Sequence, residues 1–143
     1  MGGKDIDVRF SKFGTVSFTS TSKVNDFIDK LEEGKVSGTQ CKECGIKFFP
    51  PRADCCKCLS SDMEWFDLDG TGKLVTYSKL EYAPIGFEND LPYCIAVVDF
   101  GDYKVFGRLS SDLTDDNIKA GMDLKAVVNE LPNGQLNYIF QKA

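Results

Sequence analysis

Two C-x-x-C pairs, Cys41-Lys-Glu-Cys44 and Cys55-Cys-Lys-Cys58, stand ten residues apart and constrain this chain more than any other feature. Four thiolates delivered as two close pairs suit a tetrahedral metal, because each pair spans one edge and backbone N–H groups of a tight turn can reach the sulfurs. Gly45, just after the second cysteine, supplies the unusual backbone such a turn needs. The spacing predicts a compact ribbon in which Cys41, Cys44, Cys55 and Cys58 hold one structural Zn2+. Iron could occupy the same four sulfurs, and zinc is the reading adopted. A disulfide framework would require an oxidising compartment, and residues 1–18 contain no apolar core of a secretory signal. A thioredoxin-like redox site would use one C-x-x-C rather than two.

The remaining composition narrows the chemistry. The chain has 143 residues and no histidine, which removes His-based acid–base catalysis, Ser-His and Cys-His nucleophile pairs and any His-containing metal site. Charge is uneven: residues 1–34 sum to −1, residues 35–58 to +3 and residues 59–143 to −7. Four thiolates and one divalent metal would bring the ribbon to about +1. The acidic body argues against broad binding to nucleic acid, which needs several phosphates neutralised at once. No apolar run approaches the roughly 20 residues that span a bilayer, so no membrane segment is expected. A soluble, cytoplasmic protein is expected.

Taken in order, Val8–Phe10 and Thr15–Phe18 alternate as short strands in an N-terminal arm. Val24, Phe27, Ile28 and Leu31 then fall at i, i+3, i+4 and i+7 of an amphipathic helix, with Ser22 as N-cap and Gly34 as the C′ residue. That stripe packs on its own domain or docks on a partner subunit. Within the ribbon, Ile46-Lys-Phe48-Phe49-Pro-Pro-Arg52 is extended, and its adjacent phenylalanines point to opposite sides. After Met63–Leu68 and a Gly70-x-Gly72 turn come strands over Lys73–Tyr82, Tyr93–Phe100, Tyr103–Leu109, Met122–Leu131 and Leu136–Gln141. A short helical connection is expected over Ser111–Ala120. Five strands with a helix between the third and fourth is the order of an OB-type Greek-key barrel.

No catalytic constellation stands out in residues 59–143; the carboxylates sit at turns, and Gly70-x-Gly72 lacks the following helix that a phosphate-cradling loop requires. Cys94 reads as a small buried hydrophobe, and Cys56 as a bystander or spare sulfur beside a ligand. Lys42, Lys47, Arg52 and Lys57 either solvate the ribbon or meet a phosphorylated ligand or acidic partner alongside Phe48 and Phe49. The long loop from Ala83 to Pro92 offers Ile85, Phe87 and Leu91 for binding.

Cys41-Lys-Glu-Cys44-Gly, Phe49-Pro-Pro-Arg52, Cys55-x-x-Cys58 with Leu59 to Trp65, a Gly-rich turn and five barrel strands resemble, in that order, the zinc-ribbon/OB-fold proteins associated with acyl-CoA enzymes. The resemblance covers about residues 22–143; this chain has Cys56 where such proteins often have proline. It implies a mainly β fold: an N-terminal arm and helix over 1–36, a rubredoxin-like zinc ribbon over 37–62 and a five-stranded OB barrel over 63–143. It also implies a small partner of a thiolase-like or hydroxymethylglutaryl-CoA-synthase-like large subunit, with a coenzyme A thioester as shared ligand and the chemistry left to the large subunit. The zinc-finger subunit of benzoylsuccinyl-CoA thiolase is one branch of that family. The resulting expectation is a zinc-binding accessory subunit of an acyltransferase complex, without catalytic residues of its own. Lys42, Lys47, Phe48, Phe49, Arg52, Lys57, Ile85 and Phe87 are its expected CoA or partner contacts. The rival expectations are a nucleic-acid-binding module that stacks bases on Tyr77, Tyr82, Tyr93 and Tyr103, and an iron-bearing electron-transfer protein. Leu59, where a rubredoxin knuckle usually carries glycine, argues against the second.

Overall fold

The computed structural model describes residues 23–132 and 134–143. The expected strands at Val8–Phe10 and Thr15–Phe18, and the expected cap Ser22, lie outside the described residues. The helix, α1, runs Asp26–Glu32 with Asn25 in the N-cap position. Its C-terminus closes as the glycine predicts. Gly34 has φ 82°, its N–H donates to Leu31 O, and the N–H of Lys35 donates to Lys30 O. These are the two bonds of a Schellman end, which satisfy carbonyls the helix would otherwise leave open. Phe27, Ile28 and Leu31 are buried, and Val24 is half-buried. The apolar stripe is therefore used within the chain, against the ribbon and the barrel, rather than held out for a partner.

Three strands build the ribbon sheet: β1 (Ser37–Cys41), β2 (Lys47–Phe48) and β3 (Met63–Asp67), in the order β2-β1-β3 and all antiparallel. β3 falls among the residues 63–143 assigned to the barrel, yet it pairs with β1 along its full length, from Ser37 opposite Asp67 to Cys41 opposite Met63. The close approach is made by Gly38, where a Cβ would lie 2.4 Å from the carbonyl oxygen of Phe48. Two buried polar groups are satisfied across this sheet. Ser37 Oγ donates to Asp67 Oδ1 at 2.6 Å, while Thr39 Oγ1 donates to Arg52 O and accepts from the Arg52 N–H, both at 2.8 Å.

The barrel follows: β4 (Gly72–Leu80), β5 (Tyr93–Asp99), β6 (Lys104–Leu109), β7 (Asp123–Glu130) and β8 (Leu136–Lys142). The closed order is β4-β5-β6-β8-β7, with β6 and β8 parallel and every other pairing antiparallel. This is the five-stranded arrangement expected of an OB fold. Leu74, Ala96, Val98, Val105, Leu109, Leu124 and Phe140 fill it from alternate positions of all five strands. Each fully buried Leu or Phe side chain contributes about 2–3 kcal/mol.

Between β6 and β7 the expected helix is replaced by turns. Ser110 Oγ donates to Asp112, the Thr114 N–H donates to Asn117 Oδ1, and Asn117 Nδ2 donates to Asp112 O. The Asn117 amide thus satisfies two backbone groups locally, in place of a helical ladder.

Candidate metal centre and its surroundings

Each C-x-x-C pair sits at the tip of a tight turn, and the two turns repeat one another bond for bond. In the first, Gly45 N–H donates to Cys41 O and Cys41 N–H to Ile46 O; in the second, Leu59 N–H donates to Cys55 O and Cys55 N–H to Ser60 O. Both knuckles end on a left-handed residue, Gly45 at φ 77° and Leu59 at φ 63°.

The pairing brings all four sulfurs together. Cys41 and Cys58 Sγ are 3.5 Å apart, as are Cys44 and Cys55 Sγ, and the four lie within 4.8 Å of one another. A tetrahedral ion with metal–sulfur bonds of about 2.3 Å requires sulfur–sulfur edges of about 3.8 Å, which falls inside this spread. Cys41 and Cys55 are buried, and Cys44 and Cys58 reach toward the surface. The N–H groups of Cys58 and Lys57 point at Cys55 Sγ and hold its thiol down to about 6. A soft, thiolate-rich set with this spacing fits zinc. An ion held by all four sulfurs would have a complete tetrahedron, with no position left for water or substrate. Cys56 is exposed beside the cluster and outside it; Cys94 is half-buried in β5, its thiol pushed up by burial first and by Asp115 second.

The other sequence-selected residues divide sharply. Phe49 turns inward, edge-on to Tyr138 of β8 at 5.2 Å and to Phe27 of α1 at 6.1 Å. Phe48 points the other way, half-buried, under the Arg52 guanidinium at 5.4 Å. Lys42 pairs with Asp62 at 3.4 Å. Lys47 pairs with Asp102 at 3.3 Å and lies over the rings of Phe66 and Tyr103, so it fastens the ribbon to the β5–β6 turn. Arg52 borders a cleft of about 340 Å3 with Lys23 and Trp65. Lys57 is exposed. Ile85 is 73% exposed, whereas Phe87 is half-buried.

Arg108 of β6 is the organising residue that the sequence did not reveal. Its guanidinium lies 4.0 Å from the Tyr93 ring and 5.3 Å from the Phe87 ring, and bonds Asp90 at 3.1 Å. It thereby holds the 83–92 loop against the barrel, at the seam of two clefts. One, of about 450 Å3, is mainly apolar and includes Leu80, Pro84, Phe87, Phe106, Leu136 and Tyr138. The other, of about 540 Å3, has a mixed polar and apolar lining that includes Lys79, paired with Asp115 at 3.2 Å, with Asn129 and Asn137 beside Leu113 and Ile139. No short-range pattern announces Arg108, because its partners lie 15 to 21 positions earlier in the chain. Among the described residues no helix is long and apolar enough to cross a membrane.

Comparison with known proteins agrees with this architecture. Residues 29–64 match the model of the ChsH2 rubredoxin-like zinc ribbon domain, and residues 65–129 that of the ChsH2 C-terminal OB-fold domain. A DUF35 domain-containing scaffold protein of Methanocaldococcus jannaschii is 34% identical over 96 residues, which span 66% of this chain and 67% of that protein. Its counterpart in Pyrococcus furiosus is 32% identical over 100 residues, 70% of this chain and 73% of that one. Among solved structures, a chain of the Ltp2-ChsH2(DUF35) aldolase superposes with a TM-score of 0.70 at 21% identity, covering 86% of this chain and 97% of that one. A DUF35-family protein of unknown function from Sulfolobus solfataricus gives 0.50 at 23% identity, over 71% and 74% of the two chains. Both structural likenesses speak to the fold.

Proposed function

This chain belongs to the DUF35 family of ChsH2-type zinc-ribbon and OB-fold proteins, and on that footing we propose that it is a zinc-bearing accessory subunit of a thiolase-like acyl-CoA enzyme in the cytoplasm. The observation that carries the reading is the closed sulfur tetrahedron: a site with no open position builds structure rather than chemistry. Zinc there would supply folding energy to the ribbon and nothing to catalysis. The chain's own residues do the rest. Phe49, Lys47 and Phe66 lock the ribbon against the barrel, which makes it a rigid surface for a large subunit. The neighbour described as an Ltp2-ChsH2(DUF35) aldolase and the relatives described as scaffold proteins support a partnership of this kind.

In this reading the acyl-CoA thioester is held between the two subunits, and the large subunit performs the transfer. The apolar cleft beside the 83–92 loop has the size and lining for an acyl chain or the pantetheine arm. Arg52, at the cleft shared with Lys23 and Trp65, is the ribbon cation this reading assigns to a CoA phosphate. The test is affinity purification of the tagged protein from its native host, with the copurifying chains identified by mass. A thiolase-like or synthase-like subunit in near-stoichiometric amount is expected; recovery of the tagged chain alone would overturn the proposal.

A further inference from the structure

Leu59 combines two features that do not belong together. It is 81% exposed, and it sits at φ 63°, in the left-handed region that a bulky L-residue enters only under strain. A single exposed leucine on a protein surface is ordinary. A leucine whose backbone is also strained is not, because glycine at the same place would remove the strain and the exposed apolar surface together. The chain itself supplies that comparison. Gly45 occupies the equivalent place in the first knuckle, with φ 77° and the same backbone bond to the first cysteine of its pair. The knuckle turn therefore needs no side chain at this position.

Strain held at an exposed apolar residue points to a contact outside the chain. The neighbours indicate its chemistry. Cys56, Lys57 and Cys58 are exposed around Leu59. The other lysines of the ribbon's two knuckles and its sheet are paired, Lys42 with Asp62 and Lys47 with Asp102, whereas Lys57 makes no ion pair among the described residues. A leucine held out on a knuckle turn, with a lysine two positions before it that makes no ion pair among the described residues, is complementary to an apolar pocket with a carboxylate at its rim.

We propose that Leu59 is the anchor by which the second knuckle docks into such a pocket on the large subunit, with Lys57 meeting the carboxylate at the rim. This rests on the accessory-subunit reading and names the surface that reading requires.

The test uses the large subunit, purified apart from this chain, titrated calorimetrically with wild-type, Leu59→Gly, Leu59→Asn and Lys57→Glu proteins, each checked for metal content and thermal stability. Leu59→Gly is expected to keep its metal, to melt about 3 °C higher and yet to bind the large subunit at least tenfold more weakly. Leu59→Asn, which tolerates the left-handed backbone, should weaken binding in the same way, and Lys57→Glu should weaken it most at low salt. Unchanged affinity of Leu59→Gly would overturn the anchor while leaving the accessory role intact. Weaker binding that tracks loss of metal in both Leu59 variants would also overturn it, since the ribbon's fold would then be the cause. A wild-type chain that binds no large subunit would remove the accessory role and the anchor together.

Discussion

The ring of Phe49 meets the ring of Tyr138 edge-on, with centroids 5.2 Å apart and planes at 90°. One residue belongs to the ribbon and the other to β8 of the barrel, and Phe27 of α1 packs edge-on against both. Helix, ribbon and barrel therefore share one aromatic joint. Phe49→Ala should cost about 2–3 kcal/mol, less than for a fully buried phenylalanine because Phe49 is only partly enclosed. Urea unfolding followed by tryptophan fluorescence, which reports on Trp65 of β3, measures it.

The same joint gives a signature at alkaline pH. Burial pushes the Tyr138 hydroxyl up to about 12, and the hydroxyl donates to Phe106 O at 2.6 Å. The unfolded tyrosine ionises near 10, so its stabilising contribution is complete below pH 10 and is lost as pH rises toward 12. Stability measured by denaturant at pH 9 and pH 11 should fall by about 1–2 kcal/mol in the wild type from this group. Tyr138→Phe should show a correspondingly smaller fall over the same interval.

Gly38 marks the tightest crossing in the ribbon. A methyl group there would stand 2.4 Å from the Phe48 carbonyl oxygen, which is backbone and cannot step aside without breaking the β1–β2 pairing. Gly38→Ala should destabilise the protein by about 1–3 kcal/mol. Proteolysis within residues 42–62 should accelerate, read by mass spectrometry of the fragments.

The cysteines should separate into four and two. Cys41→Ser, Cys44→Ser, Cys55→Ser and Cys58→Ser should each abolish stoichiometric metal binding, whereas Cys56→Ser and Cys94→Ser should retain one zinc per chain. Elemental analysis after dialysis decides this. A colourless protein with zinc also removes the iron reading.

Much of this arrangement can be read from the chain alone, for local reasons. The C-x-x-C pairs carry their own geometry, and the alternation in β4 to β8 marks strands whose one face is buried. The helix end at Gly34 follows from residue chemistry in the same way. What escapes is set by distant partners. Met63–Asp67 looks like any strand ahead of the barrel, and only its pairing with Ser37–Cys41 assigns it to the ribbon sheet. The 111–120 segment reads as a short helical connection, but the Asn117 side chain bonds the backbone of Thr114 and Asp112, and the segment closes as turns instead. The basic ribbon set looks free in sequence; Asp62 and Asp102 engage two of its members. Arg108 has no local motif at all, because Phe87, Asp90 and Tyr93 reach it through the barrel's fold.

If metal holds the ribbon and the ribbon holds a large subunit, removing the metal should release that subunit. Native mass spectrometry of the complex isolated from its host, before and after a zinc chelator, tests it most directly. One zinc per copy of this chain is expected, and departure of the large subunit when the zinc is removed, with the barrel's β-sheet circular dichroism preserved. A complex that stays intact after the zinc is gone would contradict it.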